Sequence, residues 1–298
     1  IARGLVVPEG EPRFHLTPQA RVFHLGGAFA RGFAAALRRT GVQVTSLDPG
    51  PNLVDPAKGP GLAILDKTTP PAIRQELDWA AEVSEFPREA LMPLGDVLVD
   101  PCLHERAPKG APGSLMARRA RVAAHFARVF AADLAVLALE TTETWFDRRT
   151  KLALHGPPLQ KVFDADPERF SVRRLGHDEV LAHLKAICGL LRREAPRLRV
   201  VLVVSPVPLE RTFGAEDVIV ANQIAKSTLH AATTHLAPTQ EGLDYFPAYE
   251  AAITSDPARI WEADRRSPRP EMLEALAQTF VERYGLHLAP DSRTAGTA

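Results

Sequence analysis

The chain has 298 residues, of which 45% are apolar and 24% are charged, as in an ordinary globular protein. Its 36 basic and 36 acidic side chains cancel, so no overall field favours nucleic acid or an anionic membrane as a partner. No apolar run approaches the roughly 18–20 residues that are needed to cross a bilayer.

The first predicted elements are a strand, a tight turn and a helix. They follow an irregular arm, up to about Gln19, that is rich in Pro and Gly. The strand "RVFHL" at 21–25 leads through Gly26 and Gly27 into a helix over 29–41, whose apolar residues share one face. Many α/β enzymes present a nucleophile or bind an anion at such a turn, but this one carries no hydroxyl, thiol or carboxylate.

A second strand, "VQVTSL" at 42–47, precedes a loop-rich insertion at about 48–113. Inside the insertion, "PPAIRQELDWAAEV" at 70–83 has the apolar spacing of an amphipathic helix. A long irregular segment within a compact domain usually carries function or covers a site.

Buried strands and helices alternate through the rest of the chain. They are a helix at 114–133 with Ser114 as its N-cap, a strand at 134–139, a helix at 177–195, a strand at 198–206, a short strand that turns into a helix at 243–253, and a final helix at 270–285 that ends at Gly285. This alternation predicts an α/β protein with a parallel sheet covered on both faces. We expect a single domain over 1–285 and a flexible tail over 286–298.

In a parallel sheet of this kind, ligands bind beyond the carboxyl ends of the strands. The acid–base candidates near the predicted strand ends are His24, Glu140, Glu143, Glu210 and Glu250. The chain has no HxxxH, HxH or CxxC spacing, no phosphate-binding GxxxxGK[ST] loop and no GxGxxG pattern. We therefore predict neither a metal nor a cofactor.

Two features of the sequence bear on the cellular compartment of the protein. Cys102 and Cys188 are the only cysteines, and two distant thiols make no disulfide framework. The start "IARGLVVPEGEPRF" lacks the pattern of a signal peptide. A cytoplasmic location is the resulting expectation.

Four stretches resemble one known family in the expected order. They are "FHLGGAFA" at 23–30, "ALETTETWFD" at 138–147, "LVVSPVPLERTFGAEDVIVANQIAKSTLHAA" at 202–232 and "LDYFPAYE" at 243–250. They are similar to motifs of the GSCFA family, which belongs with the SGNH/GDSL hydrolases, and the resemblance extends over roughly 22–285. It implies a three-layer α/β/α sandwich with a central parallel sheet.

The resemblance also implies where a catalytic triad would lie. In the wider superfamily a Ser on the first strand–helix turn attacks an ester, an Asp-x-x-His supplies the base and its orienting carboxylate, and backbone N–H groups form an oxyanion hole. Here Gly27 stands at the position of the Ser, followed by Ala28 in place of a Cys, and Asp264 is matched in "DRRSP". Ser267 stands at the position of the His, and Glu140 at that of a family Gly. Both reactive members of the triad are thus missing.

Several residues keep two interpretations. Gly27 is either a structural turn residue, or its turn, with Gly26 and Ala28, still lines a pocket through its N–H groups. His24 is either a core residue or a substitute base. Ser205, and Ser227 beside Lys226, are the candidates for a replacement nucleophile. Another group of residues either binds a ligand or only anchors and packs the chain. Its members are Glu140, Glu143, Trp145 with the aromatic residues Tyr245, Phe246 and Tyr249, Ser205, Asn222 and Glu250.

The sequence leads to one function hypothesis and one alternative. The hypothesis is a non-hydrolytic or severely impaired family member that binds a carbohydrate-like or acylated ligand, or a protein partner, in the ancestral cleft. Bacterial polysaccharide metabolism, with which the family is associated, suggests this ligand class. The alternative is an active esterase or acetyltransferase, acting on a polysaccharide or a small ester, that uses substitute residues such as His24 with Asp264.

Overall fold

A computed structural model describes residues 4–50, 53 and 61–286. In chain order its strands are β1 (Arg21–Leu25), β2 (Gln43–Val44), β3 (Met92–Leu94), β4 (Val97–Val99), β5 (Leu134–Leu139), β6 (Glu143–Asp147), β7 (Phe170–Arg174), β8 (Arg199–Val204) and β9 (Leu243–Phe246). Its α-helices are α1 (Ala28–Arg39), α2 (Pro70–Ala80), α3 (Pro112–Ala127), α4 (Gln160–Ala165), α5 (His177–Glu194), α6 (Val218–Leu236), α7 (Ala248–Thr254), α8 (Pro257–Ile260) and α9 (Pro270–Tyr284).

Five of the strands form a parallel sheet in the order β2–β1–β5–β8–β9. β5 pairs with β8 along its whole length, from Leu134 opposite Arg199 to Leu139 opposite Val204. Because β1, β5 and β8 are neighbours and run in the same direction, the residues that follow them meet at one edge of the sheet. The hairpins β3–β4 and β6–β7 are separate antiparallel pairs.

Helices cover both faces of this sheet. On one face, Phe23 and Leu25 of β1 belong to a core with residues of α2, α3, α5 and α6. On the other face, Val22 belongs to a core with α1, α7, α8 and α9. The alternation along β1 follows from the two-residue period of a strand. The predicted α/β/α sandwich is confirmed.

Some local predictions are wrong. The second strand covers only Gln43–Val44, because Thr45–Leu47 form a 3₁₀ turn. Ser114 is not an N-cap: α3 begins two residues earlier after Ala111, and the Ser114 hydroxyl donates to the Ala111 carbonyl at 2.8 Å. The insertion is also more regular than expected, since it contains the hairpin β3–β4 besides the predicted helix α2.

Other predictions are not decided by the fold. The single domain remains a prediction, and the tail from residue 287 onward lies outside the described residues. In the described part of the chain, no helix has both the length and the apolar character to cross a membrane. The same residues contain no cluster of three or more His, Cys, Asp or Glu suited to a metal ion, and both cysteines are buried thiols.

Candidate functional site

The turn after β1 begins with a glycine that the backbone requires. Gly26 has φ +154°, in a region that side chains rarely adopt. A Cβ at this position would lie 2.6 Å from the carbonyl oxygen of Ala138 and 2.7 Å from the Cβ of Ala30. Gly26 therefore allows the close contact between the start of α1 and the neighbouring strand β5.

Gly27 is a glycine for a different reason. Its φ of −102° is open to any residue. A Cβ at this position, however, would lie only 2.7 Å from both Cδ and Oε2 of Glu140, and closer still to Oε1. The carboxylate of Glu140 thus fills the space into which a side chain at position 27 would project.

Glu140 is held at this place by the residues around the end of β5. It is the first residue after the strand, and its backbone N–H donates to the carbonyl of Thr68 at 3.0 Å. The Nζ of Lys226, on α6, donates to the Glu140 carbonyl at 2.7 Å. Lys226 is fully buried, and Oε1 of Glu140 is a buried oxygen without a hydrogen-bond partner among the described residues.

Burial shifts the pKa values of both Glu140 and Lys226. Desolvation raises the pKa of Glu140, and the charge of Lys226 is the strongest opposing effect. Desolvation also lowers the pKa of Lys226, against the attraction of Glu140. The backbone N–H of Phe29, in the first turn of α1, further favours the charged carboxylate by lowering the pKa of Glu140. An acidic group, the Glu140 carboxyl, therefore lies beside the turn after β1.

His24 lies on β1 but has no partner that would make it a base. Its ring is buried, and neither ring nitrogen has a hydrogen-bond partner among the described residues. Burial lowers the pKa of His24 to about 3, and the ring packs edge-on against Phe33 with centroids 5.6 Å apart. These contacts favour the core interpretation over the substitute base.

Asp264 and Ser267 form an exposed turn between α8 and α9. The carboxylate of Asp264 accepts from the Ser267 hydroxyl at 2.6 Å and from the N–H groups of Ser267 and Arg266 at 2.8 and 2.9 Å. These bonds, that of the Ser267 hydroxyl first, lower the pKa of Asp264 to about 2. Arg266 ties the turn to the loop after β8 by donating to the Pro208 carbonyl. In the described part of the chain, no hydrogen bond joins the turn to Gly27 or Glu140.

Two predicted ligand-binding residues hold the loop between β8 and α6. Glu143 accepts from the hydroxyl of Thr212 and, at 3.0 Å, from the N–H of Phe213. Trp145 packs edge-on against Phe213, with ring centroids 5.1 Å apart. Their contacts support the anchoring interpretation.

Ser205 and Asn222 shape the first part of the same loop. The Ser205 hydroxyl accepts from the N–H of Val207 at 3.3 Å, and the amide oxygen of Asn222 accepts from the N–H of Leu209 at 3.0 Å. Ser205 is fully buried, which argues against a nucleophile. Both side chains stabilise the path of the chain beyond β8.

Glu250 and the aromatic residues Tyr245, Phe246 and Tyr249 lie on β9 and α7. Glu250 accepts from the Tyr245 hydroxyl at 2.9 Å and is hydrogen-bonded to His230 at 2.7 Å. Phe246 is buried against Phe33 and Phe280. The aromatic side chains therefore do not form one exposed platform.

Ala28, beside Gly27, and Ser227, beside Lys226, are both exposed side chains. Ala28 is exposed at the start of α1. Lys226 points inward, whereas Ser227 is exposed and its hydroxyl accepts from Gln223 at 3.1 Å, so no Ser–Lys pair forms. Lys226 was missed as a site residue, although a lysine on the apolar face of a helix, three residues before Leu229, is a signal that could have indicated it.

Residues 21–280 match the family model described as the GSCFA family. The chain belongs to the GSCFA family. No curated protein is significantly similar to this GSCFA protein.

Solved structures give only distant similarities. A carbohydrate esterase family 3 protein from Talaromyces cellulolyticus is 9% identical, with 89% of this chain and 95% of that chain covered and a TM-score of 0.38. A variant of an acetyl-xylooligosaccharide esterase from Geobacillus is 15% identical, with 91% and 97% covered and a TM-score of 0.36.

Proposed function

We propose that this GSCFA protein does not hydrolyse esters at the turn after β1 and instead binds a ligand at the same edge of the sheet. The ligand is carbohydrate-like or acylated, or a protein partner. The observation that supports this proposal best is the position of the Glu140 carboxylate beside Gly27.

Two physical effects of this arrangement oppose ester hydrolysis. A glycine supplies no nucleophile, and losing a triad member costs several powers of ten in rate. In addition, the carboxyl group of Glu140 fills the space beside the start of α1, where an oxyanion would have to be stabilised. The exposed turn of Asp264 and Ser267 offers no imidazole to accept a proton.

The first test is an assay of the unmodified protein. We expect hydrolysis of p-nitrophenyl acetate at the rate of buffer alone, and no labelling by a fluorophosphonate that reacts with activated serines. Turnover well above background, together with labelling of a serine, would overturn the proposal and favour the esterase alternative.

The second test restores the missing groups. We expect the triple variant Gly27→Ser, Glu140→Gly, Ser267→His to gain measurable turnover, because the new hydroxyl then has both space and a base. The double variant Gly27→Ser, Ser267→His is the matched control, and it should remain inactive since the Glu140 carboxylate still fills the position of the hydroxyl. A well-folded triple variant without activity would show that the roles are placed at the wrong residues.

A further inference from the structure

A cavity of about 360 Å³ lies next to the turn after β1, within the ~300–1,000 Å³ range of small-molecule sites. We call it the two-histidine cavity, since His104 and His155 line it. Its other lining residues include Thr68, Met92, Val99, Leu103, Leu159 and Phe213.

One short segment connects this cavity to the turn. The N–H of Lys67 donates to the carbonyl of Gly26, and the carbonyl of Thr68 accepts from the N–H of Glu140, each at 3.0 Å. The carbonyl of Asp66 is hydrogen-bonded to Nδ1 of His155 at 3.1 Å. Residues 66–68 thus contact the turn on one side and the cavity histidine on the other.

The backbone contacts of the two rings fix which nitrogen carries the proton. A carbonyl oxygen only accepts, so Nδ1 of His155 must be protonated, and Nε2 of the neutral ring is an acceptor. Nδ1 of His104 accepts from the N–H of Arg106 at 3.1 Å, so the proton of His104 is on Nε2, which is a donor. Among the described residues, neither Nε2 has a hydrogen-bond partner.

Both rings are neutral near pH 7. Burial lowers the pKa of His155 to about 3, helped by the nearby charge of Lys67. Burial also lowers the pKa of His104. The two ring centroids are 5.2 Å apart, so the donor and the acceptor belong to neighbouring rings of the cavity lining.

The charged residues of the lining do not favour an anion. Asp100 is bound by Arg119, whose Nη2 donates to it at 2.6 Å. The remaining charged residues of the lining are Glu105, Glu210 and Arg211. Because Asp100 is paired with Arg119 and Glu210 with Arg211, and the walls are mostly apolar, the cavity suits an uncharged molecule.

We propose that the two-histidine cavity binds an uncharged ligand with an apolar body and a hydroxyl group that accepts from His104 and donates to His155. This inference rests on the binding half of the proposed function and gives it a place and a ligand chemistry. It does not depend on whether the protein hydrolyses esters.

Benzyl alcohol and benzyl methyl ether are a matched pair of probes, because the ether accepts but cannot donate. Titration of ¹⁵N-histidine-labelled protein, followed by NMR, should shift the ring nitrogens of His104 and His155. One net hydrogen bond is worth about 0.5–1.5 kcal/mol, so we expect the alcohol to bind on the order of 2–13-fold more tightly. Equal affinities, an absence of saturable binding, or shifts confined to other histidines would overturn the proposal.

A variant then tests the assignment of the acceptor. His155→Phe keeps an aromatic ring and should abolish the preference for the alcohol, while His177→Phe, at a half-buried histidine outside the cavity, should leave it unchanged. An alcohol preference that survives His155→Phe would contradict the assignment. Neither probe is an ester, so failure here leaves the hydrolysis assay unaffected, and hydrolysis by the unmodified protein would not remove this binding.

Discussion

At the scale of single residues, the turn after β1 shows two glycines under different constraints. Gly26 is required by its φ of +154° and by the nearness of β5. Gly27 has a negative φ, outside the left-handed region that favours glycine, and the carboxylate of Glu140 occupies the space of a side chain there. A side chain at position 27 and the observed position of the Glu140 carboxylate therefore exclude each other.

At the residue scale, His24 should make the stability of the protein depend on pH. Its pKa is about 3 in the folded protein against 6.5 as a free group, so between these pH values the unfolded chain binds more protons. The stability that depends on a neutral His24 is complete above about pH 6.5 and is lost as the pH falls toward 3. At pH 5 the loss from this group is roughly 2 kcal/mol.

The variant His24→Leu should therefore lose about 2 kcal/mol less stability than the unmodified protein between pH 7 and pH 5. Urea unfolding at the two pH values measures the difference. His15→Leu, at an exposed position, is the control and should behave like the unmodified protein. Identical pH dependence in all three proteins would show that His24 titrates normally.

At the scale of elements, a buried ionic network connects the insertion to the sheet. The guanidinium of Arg119, on α3, donates to Glu76 on α2 at 2.8 Å and to Asp100 after β4 at 2.6 Å. Lys67 adds an ion pair to Glu76 at 3.0 Å. Because Lys67 belongs to the segment 66–68, the network also supports the wall between the turn and the two-histidine cavity.

Removing Arg119 should therefore be costly. Arg119→Met leaves two buried carboxylates with fewer partners, and breaking such a network destabilises by about 3–5 kcal/mol. Urea unfolding at pH 7 measures the change. Arg121→Met, at an exposed position of the same helix, should change stability by less than about 0.5 kcal/mol. Similar small effects of both substitutions would show that the network is not needed.

At the scale of the whole molecule, the insertion contributes to two small cores apart from the central sheet, together with residues that follow it in the chain. One contains Trp79, Phe86 and Leu115, and another contains Met92 and Phe170. The ionic network and segment 66–68 tie these cores to the central sheet. We therefore expect the insertion and the sheet to unfold together, as one domain.

The tryptophans allow this cooperativity to be measured. A variant that keeps only Trp79 reports on the insertion, and one that keeps only Trp261 reports on the contact with the core of α1 and α9. Each variant is unfolded in urea and followed both by fluorescence and by far-UV circular dichroism. If the insertion and the sheet unfold together, the two signals of each variant should have the same midpoint. A transition of Trp79 that precedes the loss of helix signal would define the insertion as a separate unit.

The sequence by itself determined the alternation of strands and helices and the family, and it predicts a missing hydroxyl at Gly27. These depend on local patterns, since apolar periods and turn residues act over a few positions. It did not determine the interior of the insertion, where short elements are fixed by contacts with distant segments.

Only the tertiary structure decided what surrounds Gly27. Glu140 reaches it because β5 lies beside β1 in the sheet, and Lys226 and Thr68 come from elements far away in the chain. The two-histidine cavity likewise depends on backbone contacts that fix the protons of His104 and His155. Neighbourhoods of this kind follow from strand order and side-chain direction, which no local pattern encodes.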